Sequence, residues 1–118
     1  MTTSTGQLYT GHDNMNDYQK ECLKTGVYHR RHSIIYPALG LVGEAGEVAD
    51  KVKKILRDGI DSPEYREQIM LELGDVLWYV AVLAHDLGYS LETVARHNTE
   101  KLKARQQRGT LHGSGDDR

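Results

Sequence analysis

The short connection between Gly59 and Pro63 constrains this 118-residue chain more than any other feature. Before it, Lys51, Lys53, Lys54 and Arg57 load one segment with cations, which favour the negative end of a helix dipole, and Gly59 fits the stop that follows. After it, Ser62-Pro63-Glu64 supplies a capping hydroxyl, a proline suited to the first helical position and an acid for the first turn. Pro37 suits the first turn of the earlier segment. The spacing predicts one helix from Pro37 to about Asp58 and another from the Ser62 cap to about Leu87, with Gly88 as its stop. Two long helices joined so closely fold back antiparallel.

The remaining punctuation is helical as well. Asn14 or Asn16 caps a first helix to about Thr25, striped by Met15, Tyr18, Cys22 and Leu23 and ended by Gly26. Residues 27–35 are expected as a loop, with the basic, aromatic run Tyr28-His29-Arg30-Arg31-His32 read as a solvated connection. Ser90 caps a fourth helix to about Gln107, before Gly109. No stretch alternates with period two for long enough to make a strand, and no repeat of fixed period is visible. The fold class expected is all-α, a four-helix bundle completed by oligomerisation. The second helix has too few polar positions to face water broadly. Residues 1–12 are expected as a flexible arm, 13–108 as the helical domain and 109–118 as a glycine-rich tail.

Composition narrows the function classes. A formal net charge of −2 gives no support for a stable nucleic-acid complex or for membrane attraction. No apolar run has the length of a membrane span, and the first residues lack the pattern of a secretion signal. A single cysteine, Cys22, excludes an intrachain disulfide and a cysteine-based zinc site. A cytoplasmic protein is expected.

The chemistry is carried by acids on apolar helices. Glu44 and Glu47 stand three apart in Gly40-Leu41-Val42-Gly43-Glu44-Ala45-Gly46-Glu47, so they share a face that continues to Lys51 and Lys54. Glu72 and Asp75 repeat the spacing on the next helix, among Leu71, Leu73, Val76 and Leu77. Solvated ion pairs are the simpler alternative, and Glu47 with Lys51 has the spacing for one. Glu72 and Asp75, however, have no basic residue within a turn, and bare charges on apolar helices are costly to bury. A shared site for a hard divalent cation follows. With no Glu-x-x-His signature, the all-oxygen set favours Mg²⁺, with Mn²⁺ as a substitute. Mg²⁺ keeps waters and substrate phosphates, which points to a phosphate-bearing substrate. Tyr79, one turn beyond Asp75, faces a sugar or base, or else marks the edge of the core. Asn98, Lys101 and Arg105 form a stripe of donors for phosphate oxygens, or else a solvated face. Trp78 and Tyr89 are read as packing. Gly40, Gly43, Gly46 and Gly74 flank the acids and suggest close approach of a backbone or ligand, at about 1 kcal/mol each relative to alanine. His85-Asp86 resembles the metal dipeptide of the HD hydrolases but lacks their flanking ligands.

Taken together, Glu44-x-x-Glu47, Glu72-x-x-Asp75 and Asn98-x-x-Lys101-Leu102-x-x-Arg105 resemble the MazG family over roughly residues 15–108. That family belongs to the all-α nucleoside triphosphate pyrophosphohydrolases, with the dimeric dUTPases and phosphoribosyl-ATP pyrophosphatases as relatives. The resemblance implies Mg²⁺-dependent hydrolysis of a nucleoside triphosphate to a monophosphate and pyrophosphate, by a homo-oligomer, dimer or tetramer, whose subunits complete the site. It implies Glu44, Glu47, Glu72 and Asp75 as catalytic metal ligands and Tyr79, Asn98, Lys101 and Arg105 as nucleotide contacts. Lys54, further along the acidic face, is placed with the substrate-binding set. A catalytically silent helical adaptor, binding nucleotide or protein, is the alternative.

Overall fold

The computed structural model describes His12 and residues 14–118, and the described residues form four α-helices and one 3₁₀ turn with no strand. The expected arm, residues 1–12, lies outside them apart from His12. Helix α1 is Met15–Leu23, capped by the Asn14 side chain, which accepts from the Asp17 amide at 2.9 Å. It stops two residues before the expected Thr25. The Thr25 hydroxyl donates instead to the Cys22 carbonyl at 3.0 Å, one of the carbonyls freed at the helix end.

The expected loop contains a turn of 3₁₀ helix at Arg30–His32, whose Arg31 amide donates to His29 Nδ1 at 3.0 Å. Helix α2, Ile35–Asp58, begins two residues ahead of Pro37, so the buried proline still falls in the first turn. Its entry is strained. Ile34 has φ of 70° and ψ of −55°, and the Ile35 amide donates to the Ser33 carbonyl at 2.7 Å. This is a γ-turn of the rare hand, with a β-branched residue at its centre, at a cost of about 1–3 kcal/mol. The Asp86 carboxylate holds it, accepting from the Ile34 amide at 2.9 Å and from the Tyr28 hydroxyl at 2.7 Å. Asp86, half of the His-Asp dipeptide, is thus a brace between the loop and α3.

Gly59, at φ of 69°, ends α2 as expected. Helix α3, Pro63–Asp86, starts on Ser62, whose Oγ accepts from the Tyr65 amide at 3.1 Å. Helix α4, Leu91–Arg108, starts on Ser90 in the same way and closes on Gly109 at φ of 74°.

Packing is uneven. Cys22, Ala81, Val82 and Leu91 form the buried centre, with Tyr18, Leu23, Tyr28, Trp78 and Val80 against it, so the core lies between α1, the second half of α3 and the start of α4. Buried Gln19 ties these helices together. Its Nε2 donates to the carbonyls of Ala81 at 3.0 Å and Tyr89 at 3.2 Å, and its Oε1 accepts from the Leu91 amide at 3.1 Å. Helix α2 packs principally on α3, as an antiparallel hairpin extending from that core. No helix among the described residues is long and apolar enough to cross a membrane.

Candidate metal centre on the α2–α3 hairpin

The register of the hairpin builds the site. On α2, Tyr36, Gly40 and Glu44 recur every four residues and share a face; on α3, Glu72, Asp75 and Tyr79, at spacings of three and four, share one too. The antiparallel pairing sets Gly40 against Tyr79. A β-carbon at Gly40 would lie 2.2 Å from Tyr79 Cε1, so the aromatic ring rests on bare helix backbone. The close approach expected at the glycines is therefore real at Gly40, and a side chain makes it. At Gly43, Gly46 and Gly74 a β-carbon would meet nothing within 4 Å.

One turn along, Glu44, Glu72 and Asp75 each bring one carboxylate oxygen within 4.8 Å of the others. Glu44 and Glu72 are half-buried and Asp75 is exposed. The Glu44 carboxyl is held above its ordinary value by partial burial, then by the charges of Asp75, Glu72 and Glu47. That is the electrostatic signature of acids crowded without enough counter-charge. An all-oxygen donor set, partly sheltered and mutually repelling, fits a hard divalent cation.

Glu47 is not part of this triad. It is exposed and lines a hollow of about 290 Å³ with Gly40, Gly43, Glu44 and Tyr79. A second hollow of about 290 Å³ shares Glu44 and Tyr79 with the first and is lined by Thr25, Asp75 and Trp78 as well. Tyr79 thus stands between the two. Its hydroxyl is pushed up by burial, then by Tyr36, and further by the charges of Glu44 and Asp75. Tyr36 stacks on Tyr28 with ring centroids 4.8 Å apart and approaches Tyr79 at 6.5 Å, and Trp78 meets Tyr79 edge-on at 4.9 Å. An aromatic wall therefore borders the acids. Tyr28, expected within a solvated connection, instead packs against the core, and Tyr36 was not singled out in the sequence although it sits four residues before Gly40 on the acidic face. Trp78 packs as expected, with its indole N–H on Thr25 Oγ1 at 2.8 Å. Tyr89, expected as packing, is instead an exposed side chain on the α3–α4 connection.

The expected donors of α4 do not reach the acids within one chain. Asn98 and Lys101 line a separate hollow of about 610 Å³ with Tyr89, Thr93, Val94 and His97. Arg105 does not continue their exposed stripe: it is 4% exposed, and its Nη2 donates to the Asp116 carbonyl at 2.7 Å. Among the described residues its Nε has no hydrogen-bond partner. The tail thus folds over the end of α4, and Arg118 gathers the carbonyls of Thr110, Leu111 and Gly115. Lys54 forms an exposed ion pair with Asp50 at 3.1 Å. Lys51, spaced to pair with Glu47, reaches across to Glu72 instead.

Fold and site together define an all-α protein with a carboxylate cluster between two antiparallel helices. A model of the MazG nucleotide pyrophosphohydrolase domain matches residues 35–110, a span holding both acidic pairs and the α4 motif, and the chain belongs to that family. Among curated proteins it is 55% identical to the Gene 37 protein of Mycobacterium phage L5 over 85 residues, 70% of this chain and 75% of that protein. It is 39% identical to the uncharacterized protein YvdC of Bacillus subtilis (strain 168) over 72 residues, 55% of this chain and 68% of that protein. No solved structure matches it.

Proposed function

We propose that this protein is a Mg²⁺-dependent nucleoside triphosphate pyrophosphohydrolase, cleaving the α–β phosphoanhydride to give a nucleoside monophosphate and pyrophosphate. The observation that carries the reading is the convergence of Glu44, Glu72 and Asp75 within a MazG domain. These three would hold Mg²⁺, or Mn²⁺ in its place, with Glu47 as the fourth carboxylate on the same face. The ion supplies neutralisation of phosphate charge and stabilisation of a pyrophosphate leaving group. Glu47, exposed beside Glu44, is the carboxylate left to orient water and accept its proton. Tyr79, lying on Gly40, confines the nucleoside against the aromatic wall.

Asn98 and Lys101 are the donors this reading assigns to phosphate oxygens, and Lys54 is a further cation on the acidic helix. In a single chain the α4 donors line a different hollow, so the reading requires a homo-oligomer in which one copy lends α4 to the acids of another. The open backbone at Gly43, Gly46 and Gly74 and the bare apolar faces of α2 and α3 support such a contact. Arg105 joins the donors only with the tail displaced, because the Asp116 carbonyl now holds its guanidinium.

The test is a panel of canonical and modified nucleoside triphosphates with Mg²⁺, with products separated by chromatography. Monophosphate and pyrophosphate are expected, with activity abolished by EDTA and by Glu72→Ala. Full activity in Glu72→Ala would remove the metal-site assignment.

A further inference from the structure

Among the ion pairs of the described residues, one differs from the others. Lys24–Glu21, Lys53–Asp50, Lys54–Asp50, Arg57–Asp58 and Arg66–Asp61 all join residues close in sequence, with side chains at least 37% exposed. Such pairs contribute little and form wherever opposite charges share a surface. Lys51–Glu72 joins α2 to α3, with side chains only 23% and 20% exposed and Nζ 4.0 Å from Oε2. Glu72 is also one of the three converging acids.

Lys51 is held from several directions. Its ammonium lies over the Tyr65 ring, 5.9 Å from the centroid, where the face of the π-system attracts a cation. The Tyr65 hydroxyl donates to the Lys51 carbonyl at 2.8 Å, fixing the ring against this turn of α2. Glu47, four residues earlier on the same helix, is the partner that helical spacing offers, yet the side chain crosses the seam to Glu72. A lysine serving only to solvate a helix face keeps its head in water. This one is anchored beside an acid cluster that is short of counter-charge.

From this arrangement, which rests on the metal reading above, we infer that Lys51 takes the place of a second metal ion: it is a tethered cation on Glu72 that limits the carboxylates to one divalent ion. A divalent ion sharing Glu72 from the α2 side meets the fixed positive charge of Lys51, and that repulsion is only partly screened in a half-buried seam. Among the described residues, no ion pair joins Glu44 or Asp75, at the other end of the cluster, to a cation. Lys51 is therefore a positioning residue, acting through Glu72, and it sets how many ions the site accepts.

The experiment is titration of the full chain with Mn²⁺, following free Mn²⁺ by electron paramagnetic resonance. The wild type should bind one Mn²⁺ per chain. Lys51→Met, which keeps the apolar stem and removes the charge, should bind a second and hold the first about tenfold more tightly. Lys51→Arg should restore the wild-type count, and Lys51→Gln repeats the neutralisation if the methionine variant loses its helical circular dichroism. A role in packing alone would leave the ion count unmoved. Equal stoichiometry and affinity in wild type and neutral variants, weaker binding in the neutral variants, or two ions on the wild type would overturn the inference and leave the metal site standing. Absence of Mn²⁺ binding in wild type and variants alike would overturn the metal reading and this inference with it.

Discussion

The two halves of α3 meet different surroundings. Its second half runs between α1 and α4, where Ala81 and Val82 are 0% and 1% exposed. Its first half lies along α2, and among the described residues Leu71 and Leu73 are left 59% and 52% exposed. Helix α2 is barer still, with Leu39 at 68% and Leu56 at 85%. The first half holds Ile69, Met70, Leu71 and Leu73 among charged residues and the second holds all of the helix's valines and alanines, so both halves carry apolar side chains that need cover. What separates them is whether this chain supplies a covering helix. The covered half holds the fold together; the bare half carries the acids, the open glycines and the surface to which a second copy is assigned.

The same substitution should therefore do opposite things at the two ends. Val82→Asp places an unpaired carboxylate in the centre of the core, at a cost on the order of 5 kcal/mol, comparable with the whole stability of a small domain. Circular dichroism should show the helices lost at ambient temperature. Gln19→Ala is the next largest effect. It strands the Tyr89 carbonyl and the Leu91 amide and takes a second donor from the Ala81 carbonyl, and should cost about 1–3 kcal/mol in urea unfolding monitored by circular dichroism. Leu71→Asp should leave the helical signal in place and shift the light-scattering mass from oligomer to monomer. Unfolding by Leu71→Asp, or an unchanged mass, would break the division of the molecule into a self-supporting half and a partnered one.

The smallest effect lies in the acids themselves. Because Glu44 is held above its ordinary 4.5, the stability it lends the metal-free fold is complete below that value and lost as pH rises through the raised one. Glu44→Gln, measured in EDTA, should melt higher than wild type at mildly alkaline pH. The gap should close on acidification below 4.5. A lower melting temperature for the variant across that whole range would contradict the crowding of the cluster.

Much of this was legible in the sequence, for local reasons. Ser62, Pro63, Ser90, Gly59 and Gly109 act through hydrogen bonds and φ angles within a few residues, so the ends of α2, α3 and α4 follow from the letters. The acidic pairs were legible because helical spacing fixes a shared face. Relations across the chain were not. The partner of Lys51 depends on the register of α2 against α3, and spacing pointed to Glu47 where the fold selected Glu72. Arg105 matched the spacing of an exposed stripe, yet the tail folds over it, and no periodicity encodes that contact. His85-Asp86 resembled a metal dipeptide without its flanking ligands, and nothing in the spacing showed that Asp86 is a brace for the strained turn at Ile34. The convergence of only three of the four acids also belongs to side-chain geometry, because Glu47 shares the face of Glu44 and still lies outside the triad.

Hydrolysis in ¹⁸O-labelled water tests the central claim most directly, because it reports the bond cut and the nucleophile together. With Mg²⁺ and a nucleoside triphosphate, the label should appear in the monophosphate, from attack of water at the α phosphorus, with pyrophosphate unlabelled and no diphosphate formed. Label confined to pyrophosphate, or release of orthophosphate from the triphosphate, would contradict the pyrophosphohydrolase reading.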